Sequence, residues 1–398
     1  MGNGRRFAPR LSGRGAPAAR PQRWSTSVSI QRAEGRGKIA RRERFVPRAG
    51  APQVVTHAVN MAAVATTDLV QTEWRAALDD RDARDYAAFV ETAAGAHYTQ
   101  TAAWAKIAVA GRPRVARFFL ARVGDRVVGA AVVLRPRALG PLLTPVAIIE
   151  RGPVCADPAD LGPVLDALVR TARRKGVARL VVMPYWAGER AAEAEGALAR
   201  AGFRDVQELD GAHASTLRLD LAGKDDAALL TGADRKKLRY ELKNAERAGA
   251  TVRRAPMTEM STLARLDGQL ADSQGKSQRK NAWFAAVAAY LTSDETRGAL
   301  FVCEHEGVPV SAALALRHAK VAVYSAGASI LEQRPFSKMA MPLVAAARWA
   351  RDAGCDAFDL GGIPMEGDAD PKRVAIAQFK RDFSKTPVRL VREHARWF

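Results

Sequence analysis

The sequence has few of the residues that build disulfide frameworks or metal centres. Its 398 residues include 3 cysteines and 6 histidines. Cys155, Cys303 and Cys355 lie far apart without a C-x-x-C spacing, and the histidines show no metal-ligand spacing. The hypothesis of a catalytic Cys–His pair remains open, although each cysteine lies in a strand-like or buried context that favours a structural role. We therefore expect a protein of a reducing compartment, without a disulfide and without a metal.

Long apolar runs are also missing. No run approaches the roughly 20 residues that span a bilayer, and the amino-terminal segment lacks the apolar core of a secretory signal. Apolar residues nevertheless make up 48% of the chain, which is enough to bury a large core. The sequence thus predicts a soluble cytoplasmic protein with two domains.

Acidic residues are scarce near the amino terminus. The chain carries a net charge of +20, and residues 1–60 contain 13 Lys or Arg residues against 2 acids. A composition rich in Arg, Gly, Ala and Pro predicts a disordered basic leader over residues 1–66. Three interpretations remain open: a tail that holds nucleic acid or anionic lipid, a targeting peptide, or a stretch included because the start was assigned too early. We favour the third, with Met61 as the true start.

Two similar hairpins suggest an internal repeat. Residues 118–135 align without gaps with residues 300–317, and each segment has a strand, a Gly-containing turn, a second strand and a closing Leu-Arg. A meander hairpin followed by strand, helix and strand is the acyltransferase unit of the GNAT fold. We therefore predict an α+β protein with two GNAT-like domains in tandem, whose mixed sheets are flanked by helices. The first spans 67–212 with the tail 386–398, and the second spans 213–385.

Three local patterns give definite structural expectations. Residues 67–94 have a helical pattern. Residues 225–248 read as one long charged helix with a basic cluster, which suits tRNA phosphates or an ordinary solvated face. The apolar run 356–360 predicts a buried strand that ends at Gly361-Gly362, where backbone or ligand can approach closely.

The stretch that follows this strand suggests a binding site. A polar loop comes after the glycine pair, and the stretch then closes with Phe379, Lys380 and Arg381. Strand, glycine pair, loop and cation together suit one wall of a site for a phosphorylated or otherwise anionic ligand. The alternative is a plain turn followed by a solvated cation pair.

The usual coenzyme A loop of GNAT enzymes is missing. That loop, Gln/Arg-x-x-Gly-x-Gly/Ala, presents backbone N–H groups to the pyrophosphate at a helix amino terminus. The second domain has residues 333–340 there, QRPFSKMA, without either glycine, and the first has the acidic segment 157–162. The acyl donor is therefore expected to differ from coenzyme A.

Seven short motifs follow one another between residues 72 and 383. They are Gln100-x-x-x-Trp104-Ala105-Lys106, Arg151-Gly152-Pro153-Val154, Asn244-Ala245-Glu246-Arg247-Ala248-Gly249, Gly275-x-x-x-Arg279-x-x-x-Trp283-Phe284, Tyr324-x-Ala326-Gly327, Phe358-Asp359-Leu360-Gly361-Gly362-Ile363 and Phe379-Lys380. In this order they resemble the Fem peptidyl-aminoacyltransferase (FemABX) family. Its members carry two GNAT-like domains and move an amino acid from aminoacyl-tRNA onto the stem peptide of a peptidoglycan precursor.

This resemblance implies a cytoplasmic, monomeric aminoacyltransferase of cell-wall biogenesis and cell shape. Aminoacyl-tRNA would be the donor, without a further cofactor. A UDP-linked or lipid-linked precursor would be the acceptor, with peripheral contact at the inner membrane surface. Two alternatives stay open. One is a GNAT-like N-acyltransferase of envelope or polysaccharide synthesis that uses coenzyme A or carrier-protein donors. The other is a non-catalytic scaffold that binds tRNA or membrane.

The resemblance also implies roles for individual residues. It assigns Lys106 and Arg279 to the diphosphate of the precursor, where cations are needed. It assigns Lys380 to the reacting ester, as a cation for tRNA phosphates or for the developing oxyanion. All three also suit ordinary surface positions. The other expected substrate-binding residues are Trp104, Arg151, Tyr324, Gly361, Gly362 and Phe379.

Recognition of the acceptor amine is left without a clear residue. Many family members have an acidic residue just before the proline at the end of a first-domain strand, whereas this chain has Met183-Pro184. Asp359 is the catalytic substitute that we consider, because the amine must lose a proton. An Asp at a strand end equally suits a cap or a turn anchor.

Overall fold

Two mixed β-sheets, one in each half of the chain, organise the structure. The computed structural model describes residues 69–206, 214–232, 235–364 and 371–398. Side chains are described from residue 74 onward and, after the last gap, from residue 373. The predicted leader, residues 1–66, and the predicted start at Met61 lie outside the described residues.

The first lobe begins with a strand and two helices, continues with four strands, and then alternates helices with strands. Its elements are β1 (Leu69–Arg75), α1 (Asp80–Thr92), α2 (Ala102–Val109), β2 (Arg114–Val123), β3 (Arg126–Pro136), β4 (Val146–Ile149), β5 (Val154–Cys155), α3 (Leu161–Arg174), β6 (Arg179–Val182), α4 (Glu189–Arg200) and β7 (Arg204–Asp205).

The rest of the chain forms the second lobe and ends with β15, a strand of the first sheet. Its elements are β8 (Ser215–Asp220), α5 (Asp226–Leu230), α6 (Lys236–Arg247), β9 (Thr251–Ala255), α7 (Met260–Ser273), α8 (Asn281–Ser293), β10 (Gly298–His305), β11 (Val308–His318), β12 (Val321–Ser329), α9 (Ala340–Asp352), β13 (Ala357–Ile363), α10 (Pro371–Arg381), β14 (Pro387–Arg389) and β15 (His394–Trp397).

The two sheets repeat one strand order. The first runs β1-β2-β3-β4-β6-β15-β7, with β5 beside β3, and the second runs β9-β10-β11-β12-β13-β8-β14. In each sheet an antiparallel meander leads into one parallel pair, β4 with β6 and β12 with β13. The two predicted hairpins are the β2–β3 and β10–β11 pairs. The predicted tail 386–398 divides between the sheets, because β14 pairs with β8 and only β15 returns to the first sheet.

Local sequence signals start the helices next to the site. Asp79 caps α1 by accepting a hydrogen bond from the Asp82 N–H, and Thr101 caps α2 through the Trp104 N–H. Each cap satisfies an N–H group that has no partner inside its own helix. The two helices then lay buried aromatic residues, Tyr86 and Trp104, on the first sheet.

One apolar core is shared by both lobes. Tyr86, Ile107, Leu120 and Val132 come from the first lobe, and they belong to the same buried cluster as second-lobe side chains. Those second-lobe side chains include Met260, Leu263, Leu266, Trp283, Val287, Leu300 and Leu314. Separating the lobes would expose this apolar surface, so we expect them to fold and unfold together.

Two of the predicted helices were wrong. Residues 69–75 form a strand that pairs with β2, and α1 begins only at Asp80. The strand depends on a partner some fifty positions away, which local periodicity does not reveal. The predicted helix 225–248 is two helices, α5 and α6, and Gly232 in the break has φ +116°. A glycine tolerates this backbone conformation, whereas a helix cannot include it.

The predicted strand end at the glycine pair was also wrong. Strand β13 continues through Gly361 and Gly362 to Ile363, and its pairing with β8 is irregular between Asp359 and Gly362. Gly361 has φ +77°, which bends the strand at this irregularity. The glycine pair therefore re-aims the backbone inside a strand.

Candidate active site between the lobes

A buried carboxylate ties the two lobes together. Asp359 of β13 is 3% exposed. Its Oδ2 accepts hydrogen bonds from Tyr185 Oη and Arg218 Nε, each at 3.0 Å. Its Oδ1 accepts from the Gly361 N–H at 2.8 Å and from the Thr216 hydroxyl. Four donors use the capacity of two carboxylate oxygens, so the geometry favours an anchor between lobes over a general base.

Lys380 of α10 lies beside the glycine pair. Its Nζ donates to the Gly362 carbonyl at 2.7 Å, and a Cβ on Gly361 would lie 3.6 Å from that Nζ and from the Tyr324 carbonyl. Burial lowers the pKa of Lys380 to about 8, although the charge of Asp359 raises it. The structure thus brings together Lys380, both glycines and Tyr324.

Two arginines flank the Tyr185 ring. The Arg151 guanidinium lies 5.6 Å from the ring centroid and that of Arg218 lies 5.3 Å away. Arg218 also donates to Tyr185 Oη at 2.7 Å. Arg151 has φ +56°, an uncommon conformation for a residue with a side chain. Its buried Nη1 has no hydrogen-bond partner in the part of the chain that the structure describes. A strained residue with an unsatisfied cationic donor suits binding of an anion.

A row of aromatic rings leads away from Tyr185. Its ring centroid lies 4.6 Å from that of His97, and the His97 ring lies 4.2 Å from the Tyr98 ring. Tyr98 packs edge-on against Trp104 at 4.7 Å, and Trp104 packs against Trp283 of the second lobe at 6.4 Å. Burial, together with the nearby charge of Arg151, lowers the pKa of His97 well below its ordinary value, so this imidazole is neutral at pH 7.

The two cations assigned to a diphosphate lie on different surfaces. Arg279 pairs with Asp267 at 2.5 Å and lies 5.3 Å over the Trp283 ring. Lys106 is exposed on α2 and lines a surface cleft of about 690 Å³ whose lining does not include Arg279. Lys106 follows Trp104 by two positions, which places the two side chains on nearly opposite faces of the helix. Only Trp104 therefore faces the aromatic row.

The cleft beside Lys106, which we call the α2 cleft, combines apolar walls with cations. Its charged lining residues are Lys106, Arg114, Arg117 and Arg137. Most of the other lining side chains are Ala, Val, Leu or Phe, from the β1–α1 connection, α2 and β2. This combination suits a ligand with an anionic group and an apolar portion.

Phe379 lies away from this chemistry. Its ring packs edge-on against Phe383 at 5.5 Å and against the core of the second lobe.

Three residues of the site, Tyr185, Arg218 and His97, were not predicted from the sequence. The sequence did mark Arg218 as a cation between two leucines of strand β8, and Tyr185 directly follows the Met183-Pro184 position.

In the loop before α9, one backbone amide is already occupied by a carboxylate. The Ser337 N–H donates to a carboxylate oxygen of Glu241 at 2.8 Å. The Lys338 Nζ donates to the Ile330 and Glu332 carbonyls at 2.6 and 2.7 Å. In the first lobe, the Asp157 carboxylate accepts the Ala159 N–H before α3. Acidic groups thus lie near the points where GNAT enzymes usually hold coenzyme A phosphates.

The described residues carry neither a metal-binding cluster nor a membrane-spanning helix. These residues include no cluster of three His, Cys, Asp or Glu side chains that could hold a metal ion. They also include no helix that is both long and apolar enough to cross a membrane. The cysteines are free and buried, and burial raises the pKa of the Cys155 thiol.

Comparison with known families agrees with the tandem GNAT-like architecture. A model of the acetyltransferase (GNAT) domain matches residues 232–381. The FemAB family model matches residues 81–295, more than half of the chain. The chain therefore belongs to the FemAB family.

A curated relative and two solved structures are similar to this chain. The UDP-N-acetylmuramoylpentapeptide-lysine N(6)-alanyltransferase of Weissella viridescens is 27% identical over 165 residues, 41% of this chain and 48% of the relative. The match thus spans about half the length of that relative. A crystal structure of FemX has a TM-score of 0.65 at 19% identity, over 79% of this chain and 96% of that one.

The second solved structure is a C-terminal domain from Agrobacterium fabrum, and the protein it belongs to is described as a lysylphosphatidylglycerol synthetase. It has a TM-score of 0.53 at 16% identity, over 79% of this chain and 90% of that one. At these identities the structural likenesses establish the fold alone. With the GNAT domain match, they show that the chain consists of two GNAT-like domains with mixed sheets and flanking helices.

Proposed function

We propose that the protein is an aminoacyltransferase that moves an amino acid from aminoacyl-tRNA to the stem peptide of a peptidoglycan precursor. Membership of the FemAB family supports this proposal, as does the activity named for the Weissella viridescens relative. The enzyme would act as a cytoplasmic monomer without a further cofactor, in cell-wall biogenesis. The observation that carries the proposal is the buried Lys380 beside the Gly362 carbonyl at the junction of two GNAT-like lobes.

The reaction is aminolysis of an ester. A stem-peptide amine attacks the carbonyl carbon of the aminoacyl ester, a C–N bond forms, and the bond to the ribose oxygen breaks. The attacking nitrogen loses a proton and the ribose oxygen regains one. Negative charge builds on the former carbonyl oxygen during attack, and a fixed cation in a water-poor site stabilises that charge.

Lys380 suits this role because it is buried and held by one carbonyl. Its ammonium group has three donors, and the bond to Gly362 uses one of them. Arg151, with its unsatisfied Nη1, would bind a phosphate of the tRNA end or a carboxylate of the stem peptide. Asp359 would position Tyr185 and Arg218 and would leave proton transfer to water or substrate.

The α2 cleft would hold the diphosphate end of the precursor. Lys106 contributes an exposed ammonium group there, and the neighbouring arginines add positive charge. Arg279, on the aromatic side of α2, would then contact a different part of the substrate, because it is stacked on Trp283 and lies outside the cleft lining.

A transfer assay tests the proposal directly. The full chain is incubated with pooled radiolabelled aminoacyl-tRNAs and either a UDP-linked stem peptide or its lipid-linked form. We expect label to move from tRNA to precursor, and Lys380→Met to reduce this transfer at least about 100-fold. The matched control is Lys276→Met, which removes an exposed cation outside the site. Full activity in Lys380→Met would remove the assigned role.

A second candidate is acyl transfer from coenzyme A or a carrier protein, which the GNAT domain match over residues 232–381 favours. The contact between Ser337 and Glu241 argues against it, because a carboxylate occupies the backbone donor. Labelled acetyl-CoA is therefore run in parallel. Transfer from acetyl-CoA without transfer from tRNA would replace the first proposal with the second.

A further inference from the structure

A short hairpin with exposed leucines projects from the first lobe. It joins β3 to β4, is closed by a bridge between Arg137 and Leu143, and turns tightly through the Ala138 N–H bond to the Leu142 carbonyl at 2.8 Å. At its tip Leu139 is 77% exposed and Leu142 is 65% exposed. Two large apolar side chains so far from any core indicate a surface that meets an apolar phase.

The sheet edge that carries this hairpin is rich in basic residues. Register places the starts of β4 and β6 and the end of β15 side by side, since Arg179 pairs with both Val146 and Trp397. The connection from β1 into α1 lies beside the start of β2 here and contributes Asp79 and Asp80. The other segments that meet at this edge are 110–117, 134–147, 170–181 and 394–398. Together they contain eleven Lys or Arg residues and no Asp or Glu. They are Arg112, Arg114, Arg117, Arg135, Arg137, Arg170, Arg173, Arg174, Lys175, Arg179 and Arg396.

Aromatic residues add an amphipathic element to the same edge. Trp397 is 51% exposed, and the Arg179 guanidinium lies 5.1 Å from the centroid of its ring. Phe398 lies next to it, with the Arg173 guanidinium 5.3 Å from its centroid. Aromatic rings beside cations are typical of surfaces at the depth of lipid headgroups.

We propose that this basic edge, tipped by Leu139 and Leu142, docks the protein on an anionic phospholipid surface. The leucines would enter the acyl boundary while Arg112, Arg137 and Lys175 contact lipid phosphates. Arg137 also lines the α2 cleft. Docking would therefore place that cleft next to the bilayer. The docking itself does not depend on the proposed aminoacyl transfer.

The exposed leucines favour lipid over RNA as the partner. Positive charge alone would suit a phosphate backbone of either kind. Leucine side chains gain little from an RNA backbone, whereas inserting each into a bilayer removes apolar area from water. Binding should therefore require both the cations and the apolar tip.

A site-specific probe separates this edge from every other basic segment of the chain. The native cysteines are buried, so an environment-sensitive fluorophore can be attached to Leu142→Cys in the full chain. The control is Leu331→Cys, at a second-lobe leucine that is 53% exposed. With vesicles of about one-third phosphatidylglycerol in phosphatidylcholine, we expect a blue shift at position 142 and none at 331. No shift at 142, or equal shifts at both positions, would overturn the proposal.

Charge and apolar variants give a second, independent test. Leu139→Asp/Leu142→Asp and Arg112→Glu/Lys175→Glu should each weaken vesicle binding at least about tenfold, measured by co-sedimentation. Leu331→Asp and Lys276→Glu, as matched controls, should leave it unchanged. Thermal unfolding verifies that the exposed substitutions leave the fold intact. If Arg112→Glu/Lys175→Glu weakens tRNA binding while vesicle binding stays at the wild-type level, the edge belongs to RNA and the lipid proposal is wrong.

Discussion

At the residue scale, the site pairs one saturated acid with one cation that donates to a single carbonyl among the described residues. Asp359 has four hydrogen-bond donors around two oxygens, and Lys380 donates to one carbonyl. Removing the Asp359 carboxylate would leave the positive charges of Arg218 and Lys380 in a buried site without its negative charge to balance them. Asp359 thus supports the cation, and we assign the electrostatic role in catalysis to Lys380.

The lowered pKa of Lys380 predicts a pH dependence. Since its pKa is about 8, the side chain changes from mostly charged at pH 7 to mostly neutral at pH 9. An arginine at this position stays charged throughout. We expect the ratio of kcat/KM for Lys380→Arg to that of the wild type to rise from pH 7 to pH 9. If the ratio of the two kcat/KM values falls over this range, the neutral form of Lys380 is the active one and serves as a base.

Arg151 predicts a separation of stability from activity. Arg151→Gly removes the strained backbone at φ +56° together with the guanidinium. The relief of strain and the loss of the contact with Tyr185 oppose each other, so the free energy of unfolding should change by less than about 1 kcal/mol. The KM for one substrate should rise at least about tenfold. Urea titration and initial-rate kinetics measure the two effects. An unchanged KM for both substrates would show that Arg151 binds neither of them.

At the element scale, the irregularity in β13 positions the site. Gly361 adopts φ +77° within a strand, its N–H donates to Asp359, and the carbonyl of Gly362 accepts from Lys380. A regular strand would direct these groups at neighbouring strands in the sheet ladder. The glycine pair therefore contacts both charged residues of the site, Gly361 through its N–H and Gly362 through its carbonyl.

The β13 irregularity can be tested against a matched glycine. Gly361→Ala and Gly124→Ala both place a side chain at positive φ, +77° and +57°. Each should lower the free energy of unfolding by about 1 kcal/mol. Only Gly361→Ala should also lower kcat, because Gly124 lies in the β2–β3 turn and a Cβ there would meet nothing within 4 Å. Equal kcat values in the two variants would show that the irregularity in β13 does not contribute to catalysis.

At the scale of the whole molecule, the candidate active site depends on two lobes that share a core. Trp283 of the second lobe packs against Trp104 of the first inside one apolar cluster. Tyr185 and Asp359 add a hydrogen bond across the same junction. These contacts hold first-lobe and second-lobe site residues in a fixed relation.

The shared core predicts a single cooperative transition. Trp283→Ala should lower the free energy of unfolding by about 3–5 kcal/mol, and the variant should still unfold in one step. Calorimetry and urea titration followed by circular dichroism measure both quantities. Phe398→Ala is the control, since Phe398 is 37% exposed at the far edge of the first sheet, and it should cost less than about 1 kcal/mol. Two separate transitions in Trp283→Ala would show that the lobes are independent.

The sequence predicted the main part of this fold. The two hairpins, the later helices of each half and the tandem α+β architecture all follow from short-range periodicity and from similarity between the halves. The strand at 69–75 and the break near Gly232 could not be predicted in this way. The strand forms through pairing with β2, and the break coincides with the backbone conformation that Gly232 adopts.

The candidate site was predictable only in part. Lys380 and the glycine pair lie within one stretch of sequence, and the structure brings them into contact. Lys106 and Arg279 were expected to share one ligand group, yet they lie on different sides of α2. Tyr185 and Arg218 meet Asp359 from distant positions in the chain.

By itself the sequence determined which segments form most of the helices and strands, which segments carry charge, and in which order the motifs occur. These properties are local to short stretches of the chain. Only the tertiary structure decided that the carboxylate of Asp359 is saturated, that the charge of Lys380 is tuned by burial, and that leucines and cations meet at one sheet edge. Each of these depends on side chains brought together from separate strands and helices. Their distances, and hence their electrostatics, exist only once the two sheets have formed and packed.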